Sequence, residues 1–327
     1  MHILITGAAG MIGRKLTARL VGAGALNGRE IEKLTLIDVS APQKPERFSG
    51  SVDARTADIT DPVAARAAVA GKPDVIFHLA AVVSGEAELD FKKGMRVNLD
   101  GSRALLEAIR TAGEGYRPRL VFTSSIAVFG APFPDAIADD FHLTPLTSYG
   151  TQKAIVELLI ADYTRRGFLD GIGIRLPSIV VRPGRPNKAA SGFFSSIIRE
   201  PLAGEEAVLP VEESVLHWHA SPRAAAGFLV HAAGVDRDKL GSRVNLTMPG
   251  VCCTVAEQIA ALRRVAGDKV ASRIRRAPDP LVARIVAGWP SRFDPRRALA
   301  LGFKGEASFD DIIRVHIEDE LGGKIAA

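Results

Sequence analysis

Through its first half the chain alternates short apolar runs with stretches of helical periodicity, and in its second half that rhythm breaks. His2–Thr6 (HILIT), Lys33–Asp38 (KLTLID), Asp74–Ala80 (DVIFHLA), Arg119–Ser125 (RLVFTSS) and Gly171–Pro177 (GIGIRLP) read as buried strands. Between them, Met11–Ala23, Pro62–Ala70, Asp100–Ala112 and Tyr149–Arg166 read as helices. Strands rich in β-branched residues and separated by helices predict an α/β fold, a parallel sheet covered on both faces. Right-handed crossovers make that sheet doubly wound. From Val180 to Phe194 (VVRPGRPNKAASGFF) the proline and glycine content predicts mainly loop. The helical pieces and isolated strands beyond it predict a smaller C-terminal lobe closing over the carboxyl edge of the sheet.

A chain of 327 residues suits one large domain with a second lobe. The expected division is a nucleotide-binding domain over 1–176, also receiving about 213–247, and a substrate-binding lobe from 177–212 and 248–327. With 47% hydrophobic and 24% charged residues, and apolar stretches interrupted by charge, proline or glycine, neither disorder nor a membrane span is expected. The start, MHILITGAAG, has no basic leader and enters structure at once, so a cytoplasmic protein is expected. The adjacent Cys252 and Cys253 can neither staple a fold nor take metal-ligand spacing. His217 and His219, flanking Trp218, lack a third ligand at useful spacing, so no metal is expected. Trp218, Phe193 and Phe194 are candidates for a pocket wall. The net charge is +5, and the basic cluster Arg263–Pro278 has little aromatic interleaving. No recognition motif accompanies that cluster, so no nucleic-acid partner is expected, and a small anionic molecule or cofactor explains the mild basic excess as well.

Two short motifs carry chemistry. Thr6–Gly13 (TGAAGMIG) lies between the first strand and the first helix, with glycines at 7, 10 and 13. Such a loop turns tightly and lets backbone amides and a helix N-terminus approach a pyrophosphate. Asp38 closes the second strand, where a carboxylate accepts hydrogen bonds from ribose hydroxyls and repels a 2′-phosphate, favouring NAD over NADP. Farther on, LTSYGTQKAIVE places Tyr149 four residues before Lys153, on one helix face.

T-G-x-x-G-x-x-G followed by Y-x-x-x-K resembles the extended short-chain dehydrogenase/reductase family, which includes nucleotide-sugar epimerases and dehydratases. The likeness runs almost end to end, through DIT, HLAA, VNLDGSRALLEA, VFTSSIAVFG and LGFKGEASFDD. It implies NAD held by Gly7, Gly10, Met11, Ile12, Gly13, Asp38, Asp58, Ile59, Leu79, Ala80, Ala81, Asn98, Tyr149, Lys153 and Pro177. It also implies a catalytic set of Ser125, Tyr149 and Lys153, with Ser124 the close competitor of Ser125. A phenol titrates near ~10, so an adjacent ammonium and the nicotinamide charge are expected to lower it. Relatives commonly pair through the helices equivalent to 100–112 and 149–166, which implies a homodimer.

The chain also departs from the family. Where dehydratases carry an Asp-Glu pair after the serine stand Ile126 and Ala127, which cannot transfer protons. Arg182 replaces an expected glycine beside the diphosphate pocket, and HASP (His219–Pro222) lacks two aspartates. Arg182, Arg185, Asn187 and Lys188 instead suit a carboxylate, with Ser84 a polar group near the nicotinamide. These features resemble the branch of the family that oxidises four-carbon sugar acids at C2. Ser84, Ser125, Tyr149, Arg182, Arg185 and Asn187 are therefore the candidate substrate residues. The alternatives are an epimerase that retains NAD and a non-catalytic NAD-binding scaffold.

Overall fold

In the computed structural model, which describes residues 1–184 and 191–326, seven parallel strands form the central sheet. They are β1 (His2–Thr6), β2 (Lys33–Asp38), β3 (Ser51–Thr56), β4 (Val75–His78), β5 (Arg119–Ser125), β6 (Asp170–Leu176) and β7 (Asn245–Thr247). Their order across the sheet is β7-β6-β5-β4-β1-β2-β3. β1 pairs with both β2 and β4, so the chain reverses direction across the sheet at β1.

The strand sequences explain the two covered faces. Successive side chains alternate, so Ile3 and Ile5 of β1 join one core while Leu4 joins the other. Val75 and Phe77 of β4 likewise face one way, and Ile76 the other. The first core is covered by α1 (Met11–Ala23), the second by α2 (Pro62–Val69), α3 (Gly101–Thr111) and α4 (Ser148–Arg165). α4 starts where Thr147 accepts a 3.0 Å hydrogen bond from the Gly150 amide, fixing the turn that carries Tyr149.

A further core gathers α5 (Gly192–Leu202) with α7 (Val255–Ala266) and α8 (Phe309–Leu321), through Phe194, Ile197, Leu262 and Ile313. Between α5 and α7, α6 (Pro222–Gly234) returns to the first face of the sheet. Because all seven strands run the same way, the segments that follow them gather at one edge, and α5 and residues 288–290 stand over that edge.

Most predicted elements agree to within a residue or two, and three differences are informative. β3 (SVDART) was not anticipated: it is an edge strand of mixed polarity with no apolar run to betray it. The segment predicted as loop through Phe194 becomes α5 at Gly192, because Phe193, Phe194, Ile197 and Ile198 form an apolar helical face buried in the lobe. Ser84, to which the sequence assigned no element, opens the short helix Ser84–Leu89. No described helix is long and apolar enough to cross a membrane.

Candidate active site

A cavity of about 470 Å³ runs along the carboxyl edge of the sheet, from the glycine loop past Ser125, Tyr149 and Lys153 to Arg182 and Trp289. At the loop end its form is set by atoms that are missing. Gly7 has φ +76°, and a Cβ there would lie 2.7 Å from the Ala80 nitrogen. A Cβ on Gly13 would lie 2.3 Å from the Gly7 carbonyl oxygen, whereas one on Gly10 meets only that oxygen, at 3.3 Å. Gly10 is the N-cap of α1 and supplies no side-chain cap, so the first-turn amides of Met11, Ile12 and Gly13 face the cavity end. That is a cradle for a phosphate group.

Asp38 lies beside it, its two carboxylate oxygens accepting from the Ala9 and Ser40 amides at 3.0 Å each. Asp58 accepts from the Thr60 amide at 3.0 Å and pairs with Arg96 at 2.8 Å, while the Ile59 side chain is buried in the core. Leu79, Ala81, Ser84 and Pro177 line the cavity. Ala80 packs against Gly7. Asn98 is not on the wall: its carbonyl oxygen accepts from the Val82 amide at 2.8 Å, and its amide donates to Gln152 at 2.7 Å. It pins the backbone after β4 to α4. His78 lies behind the glycine loop, bridging Thr6 at 2.7 Å and Ser102 at 2.9 Å, and burial pushes it down to about 3.

In the middle of the cavity Ser125 and Tyr149 stand on the same wall, and the Ser125 hydroxyl accepts from the Ala127 amide at 3.2 Å. The Lys153 ammonium donates to the Thr123 carbonyl at 2.8 Å and sits 5.6 Å from the centre of the Tyr149 ring. In the protein alone the Tyr149 pKa is raised, against the expected lowering. Burial penalises the phenolate, and the neighbouring Ser125 hydroxyl and the Arg182 charge offset that only in part. Burial also brings Lys153 down to about 7, with the Glu157 carboxylate opposing it.

At the far end Arg182 donates to the Ile179 carbonyl and to the Ser191 hydroxyl, both at 2.9 Å. Among the described residues no carboxylate stands within ion-pair distance of it. Arg185, Asn187 and Lys188 lie outside the described residues. His217, whose value burial pushes down to about 3, bonds Ser178 at 2.6 Å and stacks on Phe194 at 5.1 Å. His219 bonds Gln258 at 2.9 Å. These histidines are packing and positioning groups. Trp218 packs with Phe129 and Phe293 and donates to the Met248 carbonyl at 3.1 Å, away from the cavity.

Residues 3–221 match the model of the NAD dependent epimerase/dehydratase family. The chain belongs to this family. It is an NAD-dependent oxidoreductase, and the glycine cradle fits that cofactor. The chain is 50% identical over 98% of both lengths to a protein of Cupriavidus necator named D-erythronate dehydrogenase. It is 41% identical to one of the same name from Haemophilus influenzae, over 98% of this chain and 100% of that one. A solved structure described as the nucleoside-diphosphate-sugar epimerase from Agrobacterium tumefaciens superposes with TM-score 0.97 at 64% identity, covering 100% of this chain and 96% of that one.

Both serines line the cavity, and they differ in their partners: Ser124 donates to buried Glu157, while the Ser125 hydroxyl accepts from the Ala127 amide. Sequence reading missed Ser178, Ser195, Arg199 and Trp289, all on the cavity wall. Arg199 donates to the Arg182 carbonyl at 2.7 Å and pairs with Glu200 at 2.5 Å. In the late basic cluster Arg263, Arg264, Arg275 and Arg276 pair with Asp268, Asp310, Glu206 and Glu213, so those charges are locally balanced.

Proposed function

We propose that this enzyme oxidises a small sugar acid, D-erythronate, to 2-dehydro-D-erythronate, with Ser125, Tyr149 and Lys153 as its catalytic residues. The observation that carries the reading is Arg182: a guanidinium with no carboxylate within ion-pair distance among the described residues, in the same cavity as Tyr149 and close enough for its charge to act on the phenol. A substrate carboxylate is the partner that such a group lacks, and a guanidinium takes it through paired, charge-assisted hydrogen bonds. The two relatives named D-erythronate dehydrogenase support the substrate.

NAD, when bound, supplies the acceptor for the hydride that leaves the substrate carbon. The amides of Gly10–Gly13 would hold its pyrophosphate, and Asp38 the adenosine ribose, with Asp58 and Ile59 near the adenine. Leu79–Ala81 and Pro177 would flank the nicotinamide end, Lys153 would hold the nicotinamide ribose, and Asn98 would act through the backbone it pins. Ser125 orients the substrate hydroxyl, and Tyr149 removes its proton. Lys153, when charged, stabilises the phenolate that accepts it. Arg182 and Ser84 fix the acid relative to that proton path. Ile126 and Ala127 offer no acid or base, so water is not eliminated.

The experiment is NADH formation followed by absorbance with NAD+ and a panel of short aldonic acids. Turnover of a four-carbon acid is expected. Silence across the panel with NAD bound would overturn the reading in favour of nucleotide-sugar epimerisation, which the name of the Agrobacterium structure favours. A homodimer is part of the proposal: Leu158 on α4 is 64% exposed and Leu89 79%. Gel filtration at micromolar concentration should give twice the monomer mass.

A further inference from the structure

One face of α4 carries Tyr149, Lys153 and Glu157 at successive turns. The first two reach the cavity, and the third is fully buried beneath it. A carboxylate that deep is costly unless it is paired. Arg175 of β6 pairs with it through Nε, 3.0 and 3.2 Å from its two oxygens, and Nη2, at 2.8 Å. Ser124 donates to the same carboxylate, which commits that hydroxyl to Glu157, while Ser125 shares the cavity wall with Tyr149. Behind Arg175 stands Asp139, at 3.8 Å, and Arg297 lies 3.3 Å from Asp139.

We propose that Glu157 is a positioning residue for the reaction: it fixes Ser124 and supplies the counter-charge that the Lys153 ammonium needs in a buried site. The proposal rests on the reading above that Tyr149 and Lys153 carry the proton transfer. Among the described residues, Glu157 is the one carboxylate whose charge acts on Lys153. From β4 comes neutral His78, and from β5 the Thr123 carbonyl and the Phe122 ring, 4.7 Å away. On its own helix stand the Tyr149 ring and Glu157. Burial favours the neutral amine and Glu157 favours the ammonium. Removing the Glu157 charge leaves burial unopposed, so Lys153 gives up its proton at lower pH. The phenolate then loses its support earlier as pH rises.

Glu157→Gln alone would strand the Arg175 guanidinium in the interior, so the test variant is Glu157→Gln with Arg175→Gln, whose two amides can bond each other. Glu157→Asp keeps the charge but draws it back by one methylene. Both are first checked by thermal melting. In protein labelled with 15N-lysine, with the Lys153 Nζ signal assigned through Lys153→Arg, the double variant should lower the Lys153 midpoint by about one pH unit. Glu157→Asp should lower it by a fraction of that. The alkaline limb of kcat should move with the midpoint. The double variant then loses about tenfold in kcat at a pH above both midpoints and less than about twofold on the acid side. A uniform loss at every pH, with the Lys153 midpoint unmoved in either folded variant, overturns the proposal. A moved midpoint in a protein that oxidises no acid would retain the Glu157 assignment and remove the dehydrogenase reading instead.

Discussion

The two ends of the cavity are built by opposite means. The end proposed for the cofactor is made of backbone and of absent side chains: Gly7 and Gly13 admit no Cβ, and Gly10 leaves the amides of the first turn of α1 open. The end proposed for the substrate is made of side chains held by other side chains. Arg182 is fixed by Ser191 and by the Ile179 carbonyl, and Arg199 by Glu200, beside His217 and Trp289, with Phe194 stacked behind His217. The first kind of site depends on local chain geometry and accepts one cofactor shape. The second depends on which distant segments pack together, and so can differ among proteins of one fold.

Substitutions at each end test that contrast. Tyr149→Phe, between the two, should have the largest effect. Turnover should fall by at least about a thousandfold with NAD binding nearly intact, as read by NADH formation and a cofactor titration. Next, Arg182→Met should lower kcat/KM for the acid by about a hundredfold while leaving the KM for NAD unchanged. An equal loss in both constants would mean that the ends are not separable. Smaller and split effects are expected in the glycine loop. Gly13→Ala should cost stability, about 1–3 kcal/mol in a denaturant titration, because its Cβ would sit 2.3 Å from a carbonyl oxygen. Gly10→Ala should fold normally yet bind NAD about tenfold more weakly, since only the ligand side of the loop is filled. If both fail to fold, the loop is structural at each position. Last, Asp38→Ala should weaken NAD by about fivefold and NADP less, and an unchanged preference would take Asp38 out of the cofactor site.

The same contrast explains what was legible in the sequence. β1, β2 and β5 and helix α1 were read to the residue, because apolar runs of strand length alternate with a helical period and the glycine loop marks the junction. Tyr149 and Lys153 were legible as an i, i+4 pair. β3 was not, since an edge strand needs no apolar run, and α5 was obscured by the proline-rich approach to it. Nothing in the local sequence brings Arg182 to Trp289, more than a hundred positions away, or chooses between Ser124 and Ser125. Those depend on buried partners, Glu157 above all, that meet only in the folded chain.

The last strand of the sheet has a consequence during synthesis. Six strands have been made once Leu176 emerges from the ribosome, but β7, which covers the edge of β6, comes only at Asn245–Thr247. Until then the backbone groups along that edge of β6 have no neighbour and invite pairing with another chain. A nascent chain of this enzyme therefore has a period, set by the distance between those two strands, in which that edge stands open.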